Sequence, residues 1–440
     1  MILALQVVVF IAVIATGVHF KGMAIGLFGG MGVLICVLVF GLPPGPAPVE
    51  TMLIILTVVT AAGAMQLAGG LDCLVALGAK LIRKSPHRVT YIAPLATYLL
   101  CAGAGTGNVF CSLLPVIYEV SYTAGVRPER PLALSATAGQ LALTASPVSA
   151  TMIAMLGLLS LVGFTIGNIL MIVVPASILA ILAGAFMMNR IGKELEDDPE
   201  FLRRRATGAM PPQMALAMAV PLQAGTRAKR AALIFAAGIA VIMISGFTGL
   251  KPTVISGGIA TPLDTARFIQ MVMLATAALI VAICGVRASD IPKSPLFRLG
   301  MSAIVTLFGV AWMANTLLAA HRDLIESTFA DAPTHAPLLL GAALFAVAAI
   351  TTSQSSATFS IIPIGLAIGI PPAVLVALWP AVIGVFFLPA NGSQFASVEI
   401  DQTGTTRIGA FIINHSFILP VLIYTAVSVS TGLLIAAVLF

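Results

Sequence analysis

The sequence predicts an all-α membrane protein with many spans, and its composition and segment lengths lead to that prediction. Hydrophobic residues make up 59% of the 440 positions and charged residues only 9%, whereas a soluble domain carries about 25% charged residues. Apolar stretches of roughly 20 residues recur along the chain, and each is long enough to cross a bilayer core. Because backbone polar groups in lipid must be satisfied internally, such stretches form helices.

Twelve apolar segments follow one another along the chain. The first is apolar from the start and lacks the basic residues and cleavage site of a signal peptide, so it is interpreted as a span. The predicted segments are 2–20, 22–42, 50–70, 89–126, 131–162, 166–188, 231–249, 266–284, 299–318, 336–370, 372–400 and 408–438. Two of them, 89–126 and 336–370, are expected to turn back as hairpins.

A charged connection at 191–230 divides the chain into two halves, 1–190 and 231–440. Its acidic run, its three arginines and a Pro-Pro pair favour a solvated linker. The distribution of lysine and arginine sets the expected orientation. With both termini outside and each hairpin leaving on the side where it entered, 19 of the 22 basic residues fall inside, and the outer three are Lys251, Arg267 and Arg322. The linker is then cytoplasmic, the first hairpin enters from the inside, and the second enters from the outside.

Both halves contain the same order of polar interruptions. The first interruption is Gly103–Asn108 in one half and Thr351–Ser356 in the other, and each precedes a segment that ends in Ser, two aliphatic residues and Pro. A second interruption lies downstream in each half. This ordered pairing predicts inverted repeats whose broken helices meet near the middle of the membrane. Helix packing by small residues is the alternative.

The interruptions are expected to bind a small anion such as a dicarboxylate, because helix N-termini favour negative charge. The expected helix starts lie near Val109, Val148, Ala357 and Phe395. Hydroxyl and amide side chains complement them. The predicted substrate-binding residues are Thr106, Gly107, Asn108, Thr144, Ser146, Pro147, Ser149, Ser353, Gln354, Ser355, Ser356, Asn391, Gly392 and Ser393.

Titratable groups within the apolar segments are few. Glu119 and Asp72 lie near segment ends, where an interfacial position is the alternative to proton transfer. His415, expected early in the last span, is a candidate proton carrier, with hydrogen-bonded packing as the alternative.

The sequence lacks the common motifs of metalloproteases and of nucleotide-driven pumps. The chain has no Gly-x-x-x-x-Gly-Lys-Ser/Thr loop and no His-Glu-x-x-His, and its five histidines are dispersed. Gly26-Leu-Phe-Gly29 resembles half of a glycine fingerprint, but it lies in an apolar span and is interpreted as helix packing. The sequence therefore predicts no enzyme, no metal, no cofactor and no nucleic-acid partner, and its expected surroundings are membrane lipid.

Nine short motifs spread over the chain carry a family resemblance. They are Ala68-Gly-Gly-Leu-Asp72, Lys80-Leu-Ile-Arg-Lys-Ser-Pro86, Gly105-Thr-Gly-Asn108, Leu114-Pro-Val-Ile-Tyr118, Arg127-Pro-Glu-Arg-Pro131, Ala145-Ser-Pro-Val-Ser149, Gly309-Val-Ala-Trp-Met313, Gly404-Thr-Thr-Arg-Ile-Gly409 and Asn414-His-Ser-Phe-Ile-Leu-Pro420. Together they resemble the Dcu family of anaerobic C4-dicarboxylate transporters. The resemblance implies a carrier in the bacterial inner membrane for succinate, fumarate, malate and aspartate, usually by exchange.

Similarity to the wider ion transporter superfamily implies a homodimer, with a scaffold domain and a transport domain that moves as an elevator. Arg83 and Arg127 match cytoplasmic-side arginines that the family uses. With His415, Glu119 and Asp72 they are candidates for proton transfer or gating. Ala79 stands where family members have a glutamate, so a role for that acid is not transferred. Two alternatives stay open: a cation-coupled carrier of another small organic anion, and a sensor that binds the dicarboxylate without transport.

Overall fold

Helices dominate the computed structural model, which describes residues 2–20, 23–159, 162–207, 225–248, 252–256, 259–320, 336–409 and 414–440. Several predicted features lie outside the described residues. These are Lys251, Arg322, residues 208–224 of the predicted linker and residues 410–413 of the last predicted span. Span 166–188 is confirmed as one helix. The α-helices before residue 208 are α1 Ile2–Phe20, α2 Ala24–Leu38, α3 Val49–Leu67, α4 Gly70–Arg83, α5 Val89–Ala104, α6 Val109–Thr123, α7 Glu129–Leu141, α8 Ala150–Leu159, α9 Ile166–Met188 and α10 Pro199–Ala206.

The rest of the chain adds eight described α-helices and one antiparallel pair of strands. These elements are α11 Thr226–Thr248, β1 Thr253–Ser256, β2 Ile259–Pro262, α12 Thr265–Cys284, α13 Pro295–Ala320, α14 Ala336–Thr351, α15 Gln354–Ala367, α16 Pro372–Leu378, α17 Gly392–Ile400 and α18 Ile418–Leu439. Short 3-10 helices lie at Pro86–Arg88, Ala142–Ala145, Leu195–Asp197, Ala288–Lys293 and Trp379–Phe386. Thr253 pairs with Pro262 at the open end of the strand pair.

Six helical segments of the described chain are long and apolar enough to span a membrane, or seven if the bent pair α3–α4 forms one span. The shorter apolar helices include α6, α14 and the stretch Pro372–Phe386. These short helices belong to the segments that were predicted to be hairpins or broken helices.

Two segment predictions need correction. Residues 71–83, left outside the predicted spans, belong to α4, which is bent by 72° from α3. The bend lies at Gly69, whose φ of +81° favours glycine. The last span begins at Ile418 and not at residue 408, because Ile408 pairs with His415 in a β-bridge and the backbone N–H of Ser416 donates to the carbonyl oxygen of Arg407 at 3.0 Å.

The helices pack in two groups, and each group draws on both halves of the chain. The first group contains α1, α2, α3, α11, α12 and α13. The second contains α5 to α9, α14 to α18 and the 3-10 helix Trp379–Phe386. Helix α4 contacts both groups, and the packing of α13 on α15 also joins them.

Helices α2 and α13 approach so closely that only glycine fits between them. A Cβ atom on Gly309 would overlap the carbonyl oxygen of Gly26, and one on Gly29 would lie 2.5 Å from the carbonyl carbon of Gly309. Small residues allow such close approach of two helices. The interpretation of Gly26-Leu-Phe-Gly29 as a packing motif is therefore confirmed.

Candidate functional site

The hairpins α5–α6 and α14–α15 bring their polar tips to one residue, Gln140 at the end of α7. The Nε2 of Gln354 donates to the main-chain carbonyl oxygen of Gln140 at 2.9 Å. On the other side, a Cβ atom on Gly107 would lie 2.9 Å from Nε2 of Gln140. Gln140 therefore lies between the two tips.

The second polar interruption of each half also lies beside the hairpin tips. The first tip rests on the break between α7 and α8, since a Cβ atom on Gly105 would lie 2.9 Å from the carbonyl oxygen of Val148. Thr151 Oγ1 and Ser355 Oγ lie 3.4 Å apart. Cys111 Sγ in α6 lies 3.9 Å from Ser393 Oγ in the first turn of α17. All four interruptions meet, and we call residues 105–108, 140–151, 351–356 and 388–394 the polar junction.

Both hairpins reverse through a residue in the left-handed region. Gly105 ends α5 with a φ of +71°, and Thr352 follows α14 with a φ of +51°. Glycine adopts this conformation readily, whereas it is uncommon for any other residue and strained for a β-branched one. The tip of the second hairpin is therefore held in a strained conformation that the surrounding contacts maintain.

Several predicted substrate-binding residues serve as helix caps. Ser149 Oγ accepts from the backbone N–H of Met152 at 3.0 Å, and Ser353 Oγ accepts from that of Ser356 at 3.2 Å. Asn391 Oδ1 accepts from the N–H of Ser393 at 3.0 Å, in a capping box. A cap of this kind typically contributes about 1 kcal/mol to stability. The helix start at Val109 is confirmed, and the other three helices begin two or three residues from the expected positions.

The polar junction is electrically neutral and unevenly exposed. Thr144, Ser146 and Ser149 are buried, whereas Asn108 and Gly392 are exposed. A charge at membrane depth is costly, and the junction segments contain only hydroxyl, amide, small and apolar side chains. The structure places all the predicted substrate-binding residues in the junction: Thr106, Gly107, Asn108, Thr144, Ser146, Pro147, Ser149, Ser353, Gln354, Ser355, Ser356, Asn391, Gly392 and Ser393.

Gln140 is a central junction residue that the sequence analysis did not identify. It follows two small residues, Ala138 and Gly139, and lies just before the break at Thr144. A long polar side chain at the end of a buried helix could have marked it, because buried amides need partners. Its partners come from both halves, so the sequence around it does not identify them.

The acidic candidates for proton transfer or gating lie outside the junction. Arg83 and Glu119 form an ion pair between α4 and α6 at 2.8 Å, with both side chains mostly buried. Asp72 is exposed in the first turn of α4. Glu119 thus has an arginine partner, and the roles of both acidic residues stay predictions.

His415 is buried and bonded to backbone through both ring nitrogens. The N–H of Phe417 donates to Nδ1 at 3.2 Å, so Nδ1 is the accepting nitrogen. Nε2 then carries the proton and donates to the carbonyl oxygen of Phe387 at 2.9 Å. This arrangement favours hydrogen-bonded packing over a proton carrier, and His415 precedes the last span and does not lie in it.

The described part of the linker is held by charged groups at the start of α7. Arg127 donates to Asp198 at 2.8 Å and to Glu129 at 2.7 Å. Arg130 donates to Glu194 at 3.0 Å. We call these five residues the linker clamp. Leu195 and Phe201 beside the clamp are buried, whereas most of the other residues between 191 and 207 are exposed, so this part of the linker is solvated and anchored at the start of α7.

The clamp extends to the loop before the last helix. Ser416 Oγ donates to the second carboxylate oxygen of Glu129 at 2.6 Å, and Arg204 in α10 donates to the carbonyl oxygen of Gln402 at 3.1 Å. At the surface, hydrogen bonds from Arg203 and Arg204 lower the pKa of Glu200 to about 2. The first half, the linker and the second half are thus joined on one side of the protein.

Comparison with known proteins places this architecture among transporters. The family model described as anaerobic C4-dicarboxylate membrane transporter matches residues 2–440. The anaerobic C4-dicarboxylate transporter DcuB of Escherichia coli O6:H1 is 37% identical, with 99% of each chain covered. The C4-dicarboxylate transporter DcuA of Wolinella succinogenes is 36% identical, with 99% of this chain and 100% of the relative covered.

A solved structure shares the fold at low identity. MtrF of Neisseria gonorrhoeae, described in a study of antimetabolite efflux pumps, has a TM-score of 0.55 and 13% identity, with 99% of this chain and 94% of that chain covered. The matched family consists of membrane transporters and not of enzymes. From the match over residues 2–440 and the identity to both relatives, this chain belongs to the DcuA/DcuB family of anaerobic C4-dicarboxylate membrane transporters.

Proposed function

We propose that this protein exchanges C4-dicarboxylates across the bacterial inner membrane and binds them at the polar junction. The observation that carries the proposal is the meeting of four polar interruptions, two from each half, through neighbouring polar contacts. The family and the names of its relatives supply the class of substrate. Succinate, fumarate, malate and aspartate are the acids that we assign to the site.

The chemistry of the junction suits an anion that must bind and then leave. Helices α6, α8, α15 and α17 all begin there, and helix N-termini favour carboxylate groups. The hydroxyls and amides beside them add hydrogen bonds without a fixed positive charge. A neutral site avoids a strong ion pair with the substrate, and release then needs no charged group to be separated from it.

The two halves support a repeat. In each half a helical hairpin reverses through a left-handed residue, and a helix followed by a 3-10 turn then breaks before a short second helix. We assign the second helix group to a transport domain and the first to a scaffold that holds the partner chain of a homodimer. In this proposal the hairpins 89–126 and 336–370 enter from opposite sides, both termini lie outside, and the transport domain moves as an elevator.

Exchange into proteoliposomes tests the function. Vesicles are preloaded with fumarate, aspartate or buffer, and uptake of labelled succinate is measured with and without a sodium or proton gradient. We expect strong uptake only with internal C4 acid. Gradient-driven uptake into empty vesicles would replace exchange with coupled import, and ligand-induced stabilisation without any uptake would favour a sensor.

A charge placed in the junction tests the site. Asn108→Asp adds a negative charge at an exposed junction position, and we expect exchange of every C4 acid to fall by repulsion. Asn189→Asp, at the end of α9 and outside the junction, is the matched control and is expected to keep exchange. Equal exchange by both variants would contradict binding at the junction.

A further inference from the structure

One buried acceptor in the polar junction has no donor among the described residues. Gln354 is 5% exposed, and its Nε2 is engaged by the carbonyl oxygen of Gln140 at 2.9 Å. The Oε1 of the same amide is buried and accepts no hydrogen bond. Buried side-chain acceptors nearly always have a donor, so this oxygen points to a donor that the chain itself does not supply.

The orientation of the amide is fixed by its neighbour. If oxygen and nitrogen of the Gln354 amide changed places, two carbonyl oxygens would face each other at 2.9 Å. The hydroxyls two and four residues after Gln354 donate elsewhere: Ser356 Oγ to Ser353 Oγ at 2.9 Å, and Thr358 Oγ1 to the main-chain oxygen of Gln354 at 2.8 Å. The unpaired atom is therefore an acceptor, and neither hydroxyl can satisfy it.

The other amide at the centre of the junction offers a donor, which suits a carboxylate. Gln140 turns its Nε2 toward Gly107 at the first tip, while Gln354 holds its Oε1 at the second. The two carboxylates of a C4 acid are acceptors when ionised, so neither can satisfy Oε1. A hydroxyl or an ammonium group on C2 can, because both donate.

We infer that Oε1 of Gln354 accepts a hydrogen bond from a donor on C2 of the bound acid, and that Gln354 thereby sets a preference for 2-hydroxy and 2-amino C4 acids over succinate. This inference rests on the proposed function. Gln354 is then a specificity-determining residue. A methyl group of the same size on C2 would leave the oxygen unpaired, and sites built to pair a substrate hydroxyl reject analogues that lack it.

Competition in the wild-type protein tests the inference without any variant. The exchange of labelled succinate is measured in the presence of increasing malate or 2-methylsuccinate. Malate carries a hydroxyl group on C2, whereas 2-methylsuccinate carries a methyl group of similar size there. One hydrogen bond corresponds to roughly a tenfold difference in affinity, so malate should inhibit at about one tenth of the concentration. Equal inhibition by the two would overturn the inference, and aspartate in place of malate separates the ammonium from the hydroxyl.

Substitution of the amide assigns the effect to its residue. Gln354→Met removes the acceptor, and we expect the ratio of malate to 2-methylsuccinate inhibition to fall to about one. Gln66→Met is the matched control, because Gln66 lies in α3, outside the junction, and its Oε1 already accepts from the N–H of Leu296 at 3.2 Å. The control should keep the wild-type ratio even where it slows all exchange.

The outcomes separate the inference from the function it rests on. A wild-type ratio that persists in Gln354→Met overturns the role of Gln354 while C4 exchange stands. Failure of the wild-type protein to exchange any C4 acid overturns the proposed function itself.

Discussion

The polar junction and the linker clamp both join distant parts of the chain, but they do so with different chemistry. The junction uses neutral groups, such as the Gln354 amide on the Gln140 carbonyl. The clamp uses guanidinium and carboxylate groups at 2.7 to 3.0 Å. Neutral hydrogen bonds typically contribute about 1 kcal/mol, and those of charged groups contribute more. The difference indicates a junction suited to rearrangement and a clamp suited to permanent contact.

Removal of the central clamp arginine should have the largest effect. Arg127→Leu leaves the carboxylates of Asp198 and Glu129 mostly buried without their cation, and breaking such a pair costs roughly 3–5 kcal/mol. We expect a loss of that size in denaturant unfolding of the purified protein. Arg203→Leu is the control, since its side chain is 73% exposed and exposed pairs contribute below about 1 kcal/mol. Similar small losses in both variants would contradict the distinction.

A cap in the junction should matter less for stability and more for transport. Asn391→Ala removes the cap of α17 and should cost about 1 kcal/mol in the same unfolding measurement. Asn391→Asp keeps a capping oxygen and should keep stability, yet its negative charge should reduce exchange of C4 acids. Unchanged exchange by Asn391→Asp would show that neutrality at this position is irrelevant to substrate.

His415 lies between the two regions, and its replacement should alter structure without altering pH dependence. It bonds to Phe387, which precedes the junction segment, and it neighbours Ser416 of the clamp network. We expect His415→Gln to keep the wild-type shape of the exchange rate between pH 5.5 and pH 8, a range that spans the usual histidine pKa of about 6.5. A profile that becomes flat only in the variant would restore His415 as a proton carrier.

The smallest effect is expected at the surface of the linker. Hydrogen bonds from Arg203 and Arg204 lower the pKa of Glu200 from 4.5 to about 2. Because the folded pKa is the lower one, the stabilisation is present above pH 4.5 and is lost as pH falls toward 2. Melting temperatures of Glu200→Gln and wild type should therefore differ slightly at pH 7 and converge near pH 2. A difference that grows on acidification would contradict this sign.

Much of the fold and of the candidate site could be predicted from the sequence, because local signals determine both. Apolar length marked the span at 166–188, and the paired polar interruptions marked the segments that meet in the junction. The close approach at Gly26 and Gly29 followed from small residues in an apolar helix.

The remaining features depend on partners far away in the chain. The linker carboxylates resemble any solvated charge run, because their partners Arg127 and Arg130 lie far away in the first half of the chain. Helix α4 combines charged residues with the buried Val75, Ala79 and Ile82, so hydropathy averaged along the segment does not reveal it. Gln140 is central to the junction because it contacts Gln354 and Gly107. Gln354 lies in the second half of the chain and Gly107 in the tip of the first hairpin, so neither contact is visible in the sequence around Gln140.

The linker clamp also bears on how the chain can be divided. Arg127 and Arg130 belong to the first half, Asp198 and Arg204 to the linker, and Gln402 to the second half, so their bonds connect the pieces without the peptide chain. Packing of α9 on α18 adds an apolar contact between the same halves. A gene split after the codon for Thr207 should therefore yield two co-expressed fragments that assemble into one particle, joined by the bonds from Arg204 to Gln402 and from Ser416 to Glu129 and by the packing of α9 on α18.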